Sequence, residues 1–137
     1  YFETMHHEFA HILHQKKNYP TEYNQISAAD YSSTGWQNRT EQQAWKLGFV
    51  TPYAGMEPQE DFVEVIANYL VKPDGFWENM LANAGTEGAT KIQTKFDMVK
   101  EWLMTAWNID IDELRTIIIR RSGDIDSILN EKIAYNE

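Results

Sequence analysis

Cysteine is absent from the 137 residues. That removes disulfides and thiolate metal sites, so any metal bound by this chain must be held by histidine and carboxylate. The absence does not assign a compartment, since many extracytoplasmic proteins also lack cysteine. Positive charge is scarce: 12 Lys and Arg stand against 21 Asp and Glu, a net charge of −9. This argues against nucleic acid and anionic membrane surfaces as partners. No apolar run is long enough to span a bilayer, and no signal-peptide pattern is visible in these residues. Repeats, low-complexity tracts and linkers are also missing, so 1–137 reads as a single domain with room for a sizeable core. A hydrophobic content of 42% with 13% aromatics fits a globular chain and not a disordered one.

Histidine is rare too, but its placement is informative. All four (His6, His7, His11 and His14) fall within one short segment. There, His7-Glu8-Phe9-Ala10-His11 is an H-E-x-x-H motif. Two histidines four apart on a helix project from one face and can bind one metal. The Glu between them can act as general base toward a water that the metal activates. The local pattern supplies the helix: Phe2, Met5, Phe9, Ile12 and Leu13 form an apolar arc, with His7, His11 and His14 on the opposite side. The arc is expected to pack on a core while the histidine stripe faces a cleft.

Helix one is expected over about Phe2–Lys16, stopping before Asn18 and Pro20. Residues 18–36 read as a polar loop, either functional or mobile, or else only a solvated crossover. A short helix fits Arg39–Leu47, closed by Gly48. Phe49, Val50 and Thr51 are strand formers, but Pro52 ends the run too early for a strand. Glu57-Pro58 opens a second important helix, through Leu70, with proline at its first position, where no amide hydrogen is needed. A further helix fits Phe76–Ala84, and Thr86 can cap a long one to about Trp107. Asp110 and Glu113 form a capping-box-like start for Leu114–Arg121, and after Gly123 a last helix carries Ile125, Ile128, Leu129 and Ile133. The fold class expected is mainly α. The chain opens on Tyr1, with the motif helix beginning almost at once, so an excised piece is expected, its upstream part outside this sequence.

A catalytic zinc usually has three protein ligands and an open position. His14 shares the stripe but lies about 10 Å along the axis from His7, too far for the same ion. The longer H-E-x-x-H-x-x-G-x-x-H motif would need glycine at position 14 and histidine at 17; this chain has His14 and Lys17. The downstream helix offers Glu60 and Glu64, four apart on one side, with Ala67 continuing the stripe. Asp61 points about 100° away, toward the more polar side. Alternatively, these carboxylates are only a solvated acidic face.

His7-Glu8-x-x-His11 followed by Glu60-x-x-x-Glu64 resembles the gluzincin group of zinc metallopeptidases. The resemblance implies Glu60 as a zinc ligand and Glu64 as the outer partner of a ligand histidine. Tyr53, seven residues before Glu60, is placed similarly to a metal-facing tyrosine in the catalytic site of anthrax toxin lethal factor. The strings His-Glu-Phe-Ala-His-Ile-Leu-His-Gln, Gly-Phe-Val-Thr-Pro-Tyr-Ala and Glu-Asp-Phe-Val-Glu resemble, more closely, the substrate-import-associated zinc metallohydrolase lipoproteins of bacteria. That implies the helical C-terminal part of a zincin-like catalytic domain, its upstream sheet outside this sequence. It implies Zn2+ at His7, His11 and Glu60, with Glu8 as base and Tyr53 as oxyanion donor. The motifs do not imply the substrate; the reaction expected is metal-assisted hydrolysis of a peptide or protein, and the resemblance implies a bacterial envelope location, as an outer-membrane lipoprotein near nutrient-import components. The rival reading is a non-catalytic binding or assembly component of such an import system, with a structural or vestigial metal. Retention of Glu8 favours the enzyme, since a structural site has no use for an acid between its ligands.

Overall fold

A computed structural model describes residues 2–136, without the side chains of Phe2, 125–129 and 132–136. Six α-helices and no strand occur among the described residues: α1 (Phe2–Lys16), α2 (Glu41–Lys46), α3 (Pro58–Val71), α4 (Phe76–Asn83), α5 (Gly85–Trp107) and α6 (Ile111–Asn136). The mainly α class is as expected. The expected inward side chains of Ile125, Ile128, Leu129 and Ile133 lie outside the described residues.

The centre of the fold is α3. Phe62, Val63, Val65, Ile66, Ala67 and Leu70 are all buried along it, together with the polar Asp61, Glu64 and Asn68, so it is enclosed nearly all round. It starts with Pro58 at a position needing no hydrogen-bond donor. At its other end the Arg115 guanidinium, from α6, donates to the carbonyls of Tyr69 and Lys72 at 2.9 Å each, satisfying groups the helix itself leaves open. α1, α5 and α6 pack against it, with α2 and α4 against α5. Two helix starts follow local chemistry. Thr40 and Gln43 close a reciprocal capping box on α2. Asp110 accepts from the amides of Asp112 and Glu113 at the start of α6.

Four expectations are corrected. First, α1 is rotated from the expected face: Met5, Phe9 and Ile12 are about half exposed, while Leu13 is buried as expected and Ala10 and His14 are buried with it toward α3. The side facing α3 is the one carrying the histidines, because carboxylates on α3 meet them there. Second, residues 18–36 are not a solvated crossover. Two single-turn 3-10 segments, Thr21–Gln25 and Trp36–Asn38, shape them. Tyr23 is fully buried, and Tyr19 stacks on Phe62 at 4.4 Å with Tyr23 edge-on to the same ring. Third, Thr86 does not cap α5, which begins at Gly85 after Ala84 with no side-chain cap. Fourth, α6 runs unbroken through Gly123, since one interior glycine costs only about 1 kcal/mol relative to alanine, small against the bonding of a long helix.

Candidate metal centre

α1 and α3 cross so that His7 and His11, one turn apart, face Glu60 in the first turn of α3. His7 Nε2 lies 3.0 Å from one Glu60 oxygen, and His11 Nε2 lies 3.2 Å from each of the two. The two imidazoles stand edge-to-face at 4.8 Å. One donor atom from each of His7, His11 and Glu60 falls within 4.8 Å of the others.

The ring nitrogens turned away from this point are also engaged. His7 Nδ1 is 3.1 Å from a Glu64 oxygen, and the other Glu64 oxygen accepts from the Thr51 hydroxyl at 2.9 Å. Thr51 in turn accepts from the Ala54 amide, tying the turn before α3 to this carboxylate. Burial raises the Glu64 pKa, opposed by its hydrogen bonds from Thr51 and His7. His11 Nδ1 is 2.9 Å from His14 Nε2. His14 is buried beside the edges of the Tyr19 and Phe62 rings, and that burial lowers its pKa, favouring the neutral imidazole.

Tyr53 opens a one-turn 3-10 segment, Tyr53–Gly55, that leads into α3. Its ring lies 6.0 Å from that of His7 and stacks on Trp36 at 5.0 Å. Burial, then the negative charges of Glu60 and Glu64, raise its pKa and keep the phenol a donor. Glu3, Thr4, His7, Tyr53 and Glu64 line an open cavity of about 420 Å³ at this end of α1. Glu8 is exposed on α1, between the two histidines in sequence.

The residues present suit zinc. In a tetrahedral site with donors at about 2.0–2.1 Å, neighbouring donor atoms are about 3.3 Å apart. The 3.0–3.2 Å separations between imidazole nitrogens and Glu60 oxygens are close to that spacing, and the three donors together lie within 4.8 Å of one another. Both histidines present Nε2 inward because Nδ1 is engaged outward, the arrangement that fixes tautomer and ring orientation in metal sites.

Asp61 departs from the sequence reading. It is fully buried, not on a polar side, and its carboxylate pairs with the equally buried Lys95 of α5 at 2.8 Å. Tyr31 donates to it at 2.5 Å, and Lys95 also donates to Ser27 and to the carbonyl of Gly48. Burial pushes both groups toward their neutral forms, and their mutual attraction opposes this. Sequence reasoning missed this pair, the Thr51–Glu64 bond and the His11–His14 bond. Only the last had a usable signal, because residues three apart on a helix are neighbours.

Two imidazoles and one glutamate carboxylate on a helical scaffold are a donor set used by zinc hydrolases. The chain belongs to the family described as "putative zinc-binding metallo-peptidase", whose model matches residues 1–112. It is also similar to the crystal structure of a protein of that same description from Bacteroides caccae, at 52% identity and a TM-score of 0.89. The match covers 93% of this chain and 49% of that one, so the present chain spans about half of that relative's length. No curated protein matches the chain.

Proposed function

We propose that this chain carries the metal-binding part of a gluzincin-type peptidase, with His7, His11 and Glu60 as zinc ligands. The observation that supports this most is the meeting of those three donors from two helices, with His7 oriented from behind by Glu64. Zinc held by His7, His11 and Glu60 would supply Lewis acidity toward a substrate carbonyl and an attacking water. Glu8 is the general base, which would take a proton from the attacking water and deliver it to the leaving amine. Glu64 accepts the Nδ1 hydrogen of His7 and holds its Nε2 lone pair inward. Tyr53, braced by Trp36, donates to the carbonyl oxygen as negative charge develops on it. The substrate is a peptide or protein.

The sequence strings shared with the import-associated lipoproteins support a place in the bacterial envelope, near outer-membrane nutrient-import components. No helix among the described residues is long and apolar enough to cross a membrane.

The test has two arms. Elemental analysis of purified protein should find about one zinc per chain, lost in Glu60→Ala. Glu8→Gln removes the base and no ligand, so it should keep the zinc and abolish peptide hydrolysis, measured in a chain of the relative's full length. Zinc retained by Glu60→Ala would sink the ligand assignment. A zinc-loaded wild type that cleaves no member of a broad peptide library would favour the non-catalytic binding role.

A further inference from the structure

We infer that His14 is a positioning residue for the metal site: it accepts the Nδ1 hydrogen of His11 and so fixes the tautomer and aim of that ligand. The inference rests on the zinc reading above and extends it to a residue that reading leaves without a role.

The argument starts from the ring of His11. Its Nε2 is the nitrogen turned to Glu60, 3.2 Å from each oxygen, so with zinc held there the lone pair would be on that nitrogen. A neutral imidazole then carries its hydrogen on Nδ1 and needs an acceptor there. His14 Nε2 stands at 2.9 Å. Accepting that bond requires His14 to be neutral, with its own hydrogen on Nδ1. The helix provides the pairing, since positions 11 and 14 are three apart on one face. The surroundings fix the acceptor in turn: His14 is 6% exposed, with the Tyr19 and Phe62 rings edge-to-face against it at 5.8 and 6.3 Å.

The two ligand imidazoles are therefore supported differently. His7 is backed by a carboxylate from the opposite helix, His11 by an imidazole from its own. A carboxylate is the stronger acceptor and raises ligand basicity more. An imidazole at position 14 orients His11 without bringing a third carboxylate to a site that already has Glu60 and Glu64. It also links the ligand to the Tyr19–Phe62 stack, so the packing of residues 18–36 reaches the metal through a single hydrogen bond.

The experiment uses zinc and cobalt as probes on the purified chain. Zinc affinity is measured by competition with a chromophoric chelator, and ligand geometry by the visible absorption of the cobalt-loaded protein. Wild type and Glu60→Ala come first. If wild type binds no zinc, or Glu60→Ala binds as well as wild type, the zinc reading has failed and the role of His14 falls with it. Given binding that depends on Glu60, His14→Leu should weaken zinc affinity by roughly 10- to 100-fold, the usual effect of removing an outer partner. It should also alter the cobalt spectrum. His14→Gln, whose side-chain oxygen can accept in place of Nε2, should restore most of both. Should His14→Leu not fold, His14→Phe fills the same space without an acceptor and replaces it. Wild-type affinity and spectrum in the leucine or phenylalanine variant would overturn the inference. So would a glutamine variant as defective as the apolar one, since that pattern belongs to a residue that only packs.

Discussion

Asp61 and Lys95 form an ion pair at 2.8 Å with both side chains fully buried, one residue along α3 from Glu60. The donor cluster is thus attached to the core through the backbone of its own carboxylate. Removing one partner of a buried pair leaves an uncompensated charge and costs about 3–5 kcal/mol, a large part of the roughly 5–15 kcal/mol that holds a domain folded. Asp61→Ala and Lys95→Met should each destabilise the protein by that order in urea unfolding. The double variant should lose less than the sum of the two. Additive losses would show that the pair is not coupled. Loss of zinc from Asp61→Ala would then report unfolding of the start of α3, so metal content in that variant must be read beside its stability.

Tyr53 is braced on one side by Trp36, so removing its hydroxyl should leave the ring where it is. Tyr53→Phe should keep the zinc and the fold, change KM little, and lower kcat by roughly 10²-fold, the cost of one oxyanion donor. A near-normal kcat would return Tyr53 to a packing role.

Asp112 accepts from the Tyr69 hydroxyl and pairs with Lys100 at 2.9 Å, joining α6 to α3 and α5. Those two hydrogen bonds hold its pKa below the ordinary value of 3.8. A carboxylate depressed in the folded state contributes stability that is present above its unfolded value and lost as pH falls through the folded one. Asp112→Asn should therefore be less stable than wild type near neutral pH. The gap should close as pH drops below 3.8. A gap independent of pH would point to packing and not charge.

Gly88 sits where α5 crosses α2. A Cβ there would collide with the Trp45 carbonyl oxygen and come within 2.9 Å of the Lys46 Cα, both backbone atoms. Gly88→Ala would ordinarily gain about 1 kcal/mol in a helix. Here overpacking, typically about 1–3 kcal/mol or more, should outweigh that gain. Denaturant unfolding should show a net loss, and a stabilised variant would mean the two helices can part easily.

The sequence made α1 and α3 legible because their ends carry explicit signals, Asn18 and Pro20 after one and Pro58 at the start of the other. The same spacing rules led to His7, His11, Glu60 and Glu64, which the fold brings together. Orientation was less accessible. Periodicity favoured burying Met5, Phe9 and Ile12, yet α1 turns its histidines inward, because the carboxylates of α3 can satisfy them and small Ala10 fits beneath. Asp61 misled for a related reason: an acid reads as polar surface unless its partner is known, and Lys95 lies 34 positions away on another helix. Tyr19, Tyr23 and Tyr31 made residues 18–36 look polar by type while their rings went into the core.

His11 and Glu60 are 49 residues apart in the chain, and no local structure spans them. Bringing such distant points together costs on the order of 3 kcal/mol in chain entropy, beyond the fixed cost of closing any loop. In this molecule Tyr19, stacked on Phe62, and Tyr23, edge-on to the same ring, fasten the intervening segment and help offset that cost. We expect the donors to meet late on the route to the native state, after the aromatic cluster, because contacts so far apart in sequence require a long loop to close first. An ion that then clasps both helices acts on a finished arrangement. Its effect should appear mainly in the rate at which the protein opens, with little change in the rate at which it folds.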